Sequence, residues 1–261
     1  MPSNPSGQFY DQLASEYHLL FADWRDSVRW QGEMLDKIIQ READTAKQTL
    51  LDCSCGIGTQ AIGLALRGYK VHGTDVSPAA VKRAEKEAKS FGVTASFGIA
   101  DFLKLDRQVN GTFDIVISCD NSLPHLLTDN DLSTAVKNVW GKLNPGGLFI
   151  ASIRDYDQIV KDRPKSTSPK VFDGVYGRRI VFQIWEWLED KRNYLLHLFI
   201  LKENQGNWSV SQYTTQYRTL LRNELTGILE SAGYSDIHWR MPSESGYYQP
   251  IVIANKKRGL H

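Results

Sequence analysis

Between residues 49 and 153, short apolar runs alternate with helix-length amphipathic segments, and few folds other than a parallel sheet accommodate that order. Thr49–Asp52 reads as a short buried strand, followed by a glycine-bearing turn and a helix over 60–67 that Gly68 closes. Lys70–Asp75 reads as a second strand, after which Ser77 caps a helix opened by Pro78 and running to about Phe91. Residues 95–100 predict a third strand, and 113–119 a fourth that is apolar enough to be covered on both faces. A helix over 128–143, the turn Asn144-Pro145-Gly146-Gly147 and a fifth strand over 148–153 complete the series. The expected fold class is therefore α/β, a doubly wound, mostly parallel sheet with ligand loops at the carboxyl ends of its strands.

The flanks follow different periods. Residues 8–43 place Phe9, Leu13, Tyr17 and Leu20, then Val28, Met34, Leu35 and Ile38, at helical spacing, which predicts two or three helices ahead of the sheet. Period-two alternation over 171–187, 194–202 and 208–218 predicts an antiparallel meander in the C-terminal part. A helix over 223–232 and a last strand over 249–254 follow. The polar connection 155–170, with two prolines, is expected to be a mobile loop near the strand ends. The expected organisation is one domain: a helical cap over 1–44, a cofactor-binding core over 45–154, and the meander with the closing strands over 155–261.

Composition removes several function classes. A net charge of +1 with interspersed signs offers no basic stripe for nucleic acid, and Lys256-Lys257-Arg258 reads as a solvated tail. No apolar run approaches the roughly 18 residues of a membrane span, and the first residues lack the regions of a signal peptide. Cys53, Cys55 and Cys119 suggest neither a disulfide framework nor a metal site, and they favour a reducing, cytoplasmic setting. A small-molecule partner is expected, with no nucleic acid and no membrane, and self-association left open.

The turn Asp52-Cys53-Ser54-Cys55-Gly56-Ile57-Gly58-Thr59 joins the first strand to its helix. Gly56 and Gly58 allow a sharp turn and a close approach of backbone to ligand. The second strand ends in Asp75, whose carboxylate can accept from both hydroxyls of a ribose. Dinucleotide enzymes share that acid, and residues 56–61 fit an Ala-ended version of their turn, so the choice of nucleotide passes to later segments. Asp101-Phe102 follows the third strand, where an acid can take an adenine amine and an aromatic ring can cover its face.

Together with Phe113-Asp114-Ile115-Val116-Ile117 and Asn144-Pro145-Gly146-Gly147, these segments resemble the class I S-adenosylmethionine-dependent methyltransferases over about residues 45–155. That resemblance implies a seven-stranded Rossmann-like sheet, and S-adenosylmethionine as cofactor with S-adenosylhomocysteine as product. Asn121-Ser122-Leu123-Pro124-His125-Leu126 and Arg154-Asp155-Tyr156-Asp157 look like the segments of glycine N-methyltransferase and its small-molecule relatives. The implied activity is methyl transfer to an amine nitrogen of a small, carboxylate-bearing molecule. Other metabolites methylated on N or O, and a non-catalytic binding module, are the alternatives.

Carried over residue by residue, the resemblance implies that Asp75 with the neighbouring Val76 holds the ribose and that Asp101 with Phe102 holds adenine. Asp52, Ser54, Gly56, Cys119 and His125 would contact the cofactor, Tyr17 and Trp24 would cap it, and Arg29 would pair with its methionine carboxylate. Asn121, Arg154 and Tyr217 would bind the substrate, and Tyr17 and Tyr217 would face the reacting amine. Asp155 replaces the family's Asn and sets a negative charge beside Arg154, which weighs against glycine itself. Surface pairing of Arg154 with Asp155 or Asp157, a structural His125, and Tyr17 and Trp24 as core aromatics are the competing readings. No general base stands out in the sequence, so turnover of an aliphatic amine is expected to climb from about pH 7 toward 9.

Overall fold

The computed structural model describes residues 5–43 and 48–258. Helix α1 (Pro5–Leu13) and a single 3-10 turn (Tyr17–Leu20) precede α2 (Trp24–Glu42). Asp23 starts α2 by accepting from the backbone N–H groups of Arg25 and Asp26, which have no partner within the helix. Its buried face carries Trp24, Val28, Gln31, Gly32, Leu35, Ile38 and Ile39, the spacing of one helical stripe. The alternating core follows as β1 (Thr49–Asp52), α3 (Thr59–Ala65), β2 (Lys70–Asp75), α4 (Pro78–Phe91) and β3 (Ser96–Ile99). Then come α5 (Leu105–Gln108), β4 (Phe113–Ser118), α6 (Asp129–Lys142) and β5 (Leu143–Ser152). Ser77 caps α4 with its side chain and Pro78 opens it, as the sequence predicts.

The C-terminal part departs from the sequence reading in three places. Residues expected as a mobile loop form α7 (Tyr156–Asp162), which buries Tyr156 and packs Ile159 against the core; at 7 residues it is too short for its apolar period to stand out. The expected three-stranded meander has four strands: β6 (Lys170–Gly174), β7 (Gly177–Trp187), β8 (Asn193–Asn204) and β9 (Asn207–Arg218). A hairpin at Gly174↔Gly177, with Gly177 in the left-handed region, divides what read as one long strand. After α8 (Arg222–Ser231), an unpredicted strand β10 (Tyr234–Arg240) pairs antiparallel with β11 (Ile251–Lys256), beyond the short helix α9 (Pro242–Ser245). A register shift between Ser235 and His238, with Asp236 at φ 54°, disrupts the alternation that would have revealed β10.

Two sheets result. The larger has seven strands in the order β10-β11-β5-β4-β1-β2-β3, parallel from β3 to β5 and antiparallel at β11 and β10; β6 to β9 form a separate antiparallel sheet. The expected fold class is therefore borne out. Lys256 is not part of a solvated tail: its ammonium lies 3.8 Å from the Trp140 ring centroid and donates to the carbonyls of Trp140 and Leu143. Among the described residues, no helix is long and apolar enough to cross a membrane.

Two packing features set the site. Helices α2 and α3 touch backbone to backbone, since a Cβ at Gly32 or Gly63 would come within 2.4 Å of the opposite chain. The N-terminal segment is tied to the meander by Arg179, fully buried on β7, whose guanidinium donates to the carbonyls of Leu19, Phe21 and Ala22. Glu16 adds bonds to Lys202 and Tyr213.

Candidate functional site

After β1 the chain builds β2 and β3 on one side, then crosses to place β4 on the other. Loops leaving β1 and β4 at their carboxyl ends diverge at that switch and leave a crevice. There the structure holds a partly enclosed cavity at the position where open α/β sheets bind their ligands. The turn between β1 and α3 forms its floor, with Gly56 at φ 52° and Gly58 at φ 94°; side-chain-bearing residues adopt such angles only under strain. Asp52 stays behind the turn and holds it by accepting from the Ser54 N–H at 3.2 Å. Burial pushes its carboxyl up to about 8, so it is neutral at neutral pH.

Of the residues nominated from sequence, Tyr17, Ser54, Gly56, Asp75, Val76, Asp101, Phe102 and His125 line this one cavity. Asp75 is fixed by two backbone donors, Gly56 N–H at 2.9 Å and Ser77 N–H at 3.0 Å, and burial raises its pKa. Asp101 accepts from Leu103 N–H at 3.0 Å at the end of β3. Burial drives the His125 pKa down to about 3, so its imidazole is neutral; Nε2 lies 3.1 Å from the Tyr10 hydroxyl. Tyr10 in turn lies 3.4 Å from the Tyr217 hydroxyl, and the Tyr217 and His125 rings approach to 4.0 Å.

Other nominees lie elsewhere. Arg29 projects from the exposed side of α2, beside Asp26 at 3.5 Å and over the Phe91 ring; one residue beyond Val28, it falls about 100° off the buried stripe. The structure thus corrects the expectation that Arg29 meets the cofactor. Trp24 is buried beneath the cavity and acts on it at one remove, donating to the Thr59 hydroxyl at 2.9 Å. Cys119 is packed in the core with its thiol pKa raised by burial. Asn121 spends its side chain inside the protein, donating to Tyr156 and accepting from the Arg154 N–H, both at 3.0 Å, and so is not placed as a substrate ligand.

Arg154 sits among aromatics behind Tyr217. Its guanidinium donates to the Tyr194 hydroxyl at 2.8 Å and lies about 5 Å from the Trp185 and Tyr217 ring centroids (5.0 and 5.1 Å). Asp155 and Asp157 do not pair with it, because Arg222 holds them at 2.9 and 3.2 Å. The charge that weighed against glycine is thereby neutralised. Sequence reading missed Tyr10, Gln60 and Asp120, all of which line the cavity. Tyr10 lies on α1 beside Phe9 and Leu13, and no sequence signal sets it apart from the core aromatics there.

Comparison with known proteins agrees with this geometry. Residues 50–147 match the family described as a methyltransferase domain. A glycine/sarcosine N-methyltransferase of Halorhodospira halochloris is 25% identical over 205 residues, covering 74% of this chain and 76% of that protein. The glycine/sarcosine N-methyltransferase of Parasynechococcus marenigrum is 27% identical over 139 residues, 53% of this chain and 48% of that one. The chain thus spans about half the length of one such relative and three quarters of the other. An S-adenosylmethionine-dependent methyltransferase from Clostridium acetobutylicum superposes with a TM-score of 0.71 at 16% identity, over 96% of this chain and 99% of that one.

These matches, with a methyltransferase domain over residues 50–147, support a class I S-adenosylmethionine-dependent methyltransferase. Its cavity suits the cofactor of that family. Fixed by its two backbone donors, the Asp75 carboxylate keeps lone pairs for further donors on the cavity side. A Cβ built on Gly56 would meet nothing within 4 Å, so the turn leaves room where a methyltransferase brings its nucleotide against the backbone. Phe102 sets an apolar ring beside Asp101 in the cavity lining.

Proposed function

We propose that this protein transfers a methyl group from S-adenosylmethionine to the amine nitrogen of a small molecule bearing a carboxylate. The observation that carries the acceptor is Arg154. A guanidinium drawn partly out of water is costly unless an anion accompanies it; Arg154 is half-buried, and among the described residues no carboxylate lies within ion-pair distance of it. Cation–π contact with Trp185 and Tyr217 offsets part of that cost, and a ligand carboxylate would offset the rest in a bidentate pair. The names of the two relatives favour nitrogen as the acceptor atom.

The bound cofactor supplies a methyl group already activated on a sulfonium, so the protein's work is alignment and exclusion of water. Asp75 and Asp101 would fix the nucleoside end. Tyr10 and Tyr17 close the cavity from the N-terminal cap, and burial raises both pKa values, which leaves them as neutral hydroxyls facing the reacting atoms. Neutral His125 and Tyr217 both hydrogen-bond the Tyr10 hydroxyl, which fixes that oxygen at the cavity wall. The whole chain as one functional domain in a cytoplasmic setting completes this reading.

Calorimetry should show binding of S-adenosylmethionine and none of NAD. Small amino acids and amines should then be methylated in preference to hydroxyl acceptors. Arg154→Lys keeps the charge and loses the planar fork, so KM for an amino acid should rise roughly tenfold or more, as loss of a charged hydrogen bond does, with cofactor affinity unchanged. An unchanged KM, or a preference for uncharged hydroxyl acceptors, overturns the reading.

A further inference from the structure

Three carboxylates line the cavity, and the reading above uses two of them. Asp75 ends β2, Asp101 follows β3, and both are bound by backbone N–H groups. The third, Asp120, follows β4 and so lies across β1 from both. The chain is strained to put it there. Asp120 and Asn121 are consecutive non-glycine residues in the left-handed region, at φ 60° and 67°, a conformation that persists only where its surroundings impose it. Ser152 imposes it, its hydroxyl accepting from the Asp120 N–H at 2.9 Å and its carbonyl from the Asn121 N–H at 3.1 Å. The carboxylate accepts from the Tyr247 hydroxyl at 3.3 Å. Tyr247 is itself braced by Gln31 and Gln60.

The groups bearing on Asp120 come from every side of the cavity. Asp52 and Cys119 lie at the strand ends, Tyr17 comes from the cap, Tyr247 from the segment before β11, and Arg154 from beyond β5. Burial raises the carboxyl to about 6 against the pull of Gln60, Tyr247 and Arg154, so it is ionised at neutral pH and still basic enough to hold a proton.

We propose that Asp120 is the counter-ion and proton acceptor for the amine of the methyl acceptor, which is therefore a zwitterion held between Asp120 and Arg154. This rests on the amine reading above and deepens it. In the step, an ammonium N–H bond breaks and its proton passes to a carboxylate oxygen of Asp120. The freed nitrogen lone pair forms the bond to the methyl carbon as the carbon–sulfur pair moves onto sulfur. A neutral thioether, an N-methylated ammonium and a protonated Asp120 remain, and Asp120 returns its proton to water when product leaves. The rise in turnover from pH 7 toward 9 expected from sequence is thereby replaced by a plateau.

The test uses glycine and sarcosine as acceptors over pH 5 to 10, with the full chain. For the wild type, kcat/KM should be flat from about pH 7 to 9, because Asp120 is ionised and an amine of pKa near 10 is still protonated. Asp120→Asn, tolerated by a left-handed backbone, should lower kcat/KM at pH 7 about 100-fold or more. Its residual rate should climb about tenfold per pH unit, since only amine already neutral in solution reacts. S-adenosylhomocysteine affinity, read by calorimetry, should change less than about threefold. If Asp120→Asn keeps the flat profile, or weakens S-adenosylhomocysteine tenfold while the profile is unaltered, Asp120 serves the cofactor or the fold and the proposal is overturned. Should Asp120→Asn not fold, Asp120→Glu decides: a flat profile at reduced rate supports the proposal, and a rising one overturns it. A wild type that binds cofactor and methylates only hydroxyl groups refutes the amine reading itself, a different result from an indifferent Asp120.

Discussion

Asp75 lets the reading of the cavity be tested with a magnitude. Its two oxygens accept from Gly56 N–H at 2.9 Å and Ser77 N–H at 3.0 Å in a buried setting. Asp75→Ala would orphan both donors at about 1–3 kcal/mol each, a large share of a stability of about 5–15 kcal/mol. That variant confounds binding with folding. Asp75→Asn keeps one acceptor oxygen and nearly the same shape, so the fold should lose only about 1–3 kcal/mol. Ribose hydroxyls would then meet a neutral acceptor instead of a charged one, a difference of about 1–1.5 kcal/mol, or roughly tenfold in affinity. Calorimetric titration with S-adenosylhomocysteine reads the affinity, and thermal unfolding without ligand reads the fold. The 2′-deoxy analogue makes the test specific: it should bind the wild type more weakly and Asp75→Asn with little further loss, because the two changes remove one interaction. Affinity within about threefold of wild type, or fully additive losses, would place the ribose elsewhere.

Gly63→Ala drives a methyl group to within 2.4 Å of the Val28 carbonyl and must part α2 from α3. Overpacking should cost at least about 1–3 kcal/mol and should weaken the cofactor too, because α3 begins at Thr59. Gly141→Ala on α6, with nothing within 4 Å of the new Cβ, should be neutral or gain up to about 1 kcal/mol; the reverse order in thermal melts would refute the packing argument. Asp114 ties β4 to the start of β1 and to β5: burial alone would raise its carboxyl, but bonds from Thr49, Asn144 and Gln48 outweigh it and hold the pKa at about 2. A pKa depressed below its unfolded value near 3.9 stabilises fully above about pH 4 and is lost as pH falls toward 2. Asp114→Asn should therefore flatten acid unfolding in that window, and an unchanged acid limb would refute the assignment.

The parallel core was legible because each of its signals is local: apolar strands, the Ser77-Pro78 helix start, and the acids that end β2 and follow β3. The elements missed lack such a signal. Strand β10 is bulged, and α7 is only 7 residues long, so each is specified by what it packs against. The site divides the same way. Ser54, Asp75, Asp101 and His125, on loops that follow strands, line the cavity, whereas Asp52, Cys119 and Asn121 turn into the protein and Arg29 was placed by likeness across a helix of uncertain register. Helical register shifts a side chain by 100° per residue, so one residue decides between cavity and solvent. Asp120 escaped notice because its importance lies in a backbone conformation that no residue type announces.

That difference bears on how the site closes. Asp75, Asp101 and Asp120 hang from the sheet, but Tyr10 and Tyr17 belong to the cap, and Tyr217 belongs to the meander. Cap and meander are joined to each other by the buried Arg179 guanidinium on the carbonyls of Leu19, Phe21 and Ala22, and by Glu16 with Lys202 and Tyr213. The cap also grips the sheet through Asp11, which accepts from the Ala79 N–H at the start of α4 and lies close behind the Asp75 turn. Parting the cap from the meander would strip a buried guanidinium of its acceptors, whereas releasing Asp11 breaks bonds at a more exposed edge. The Tyr10 and Tyr17 side of the cavity is therefore braced by the meander as well as by the sheet, and loss of the Arg179 guanidinium would loosen the seating of Tyr10 and Tyr17 against Tyr217.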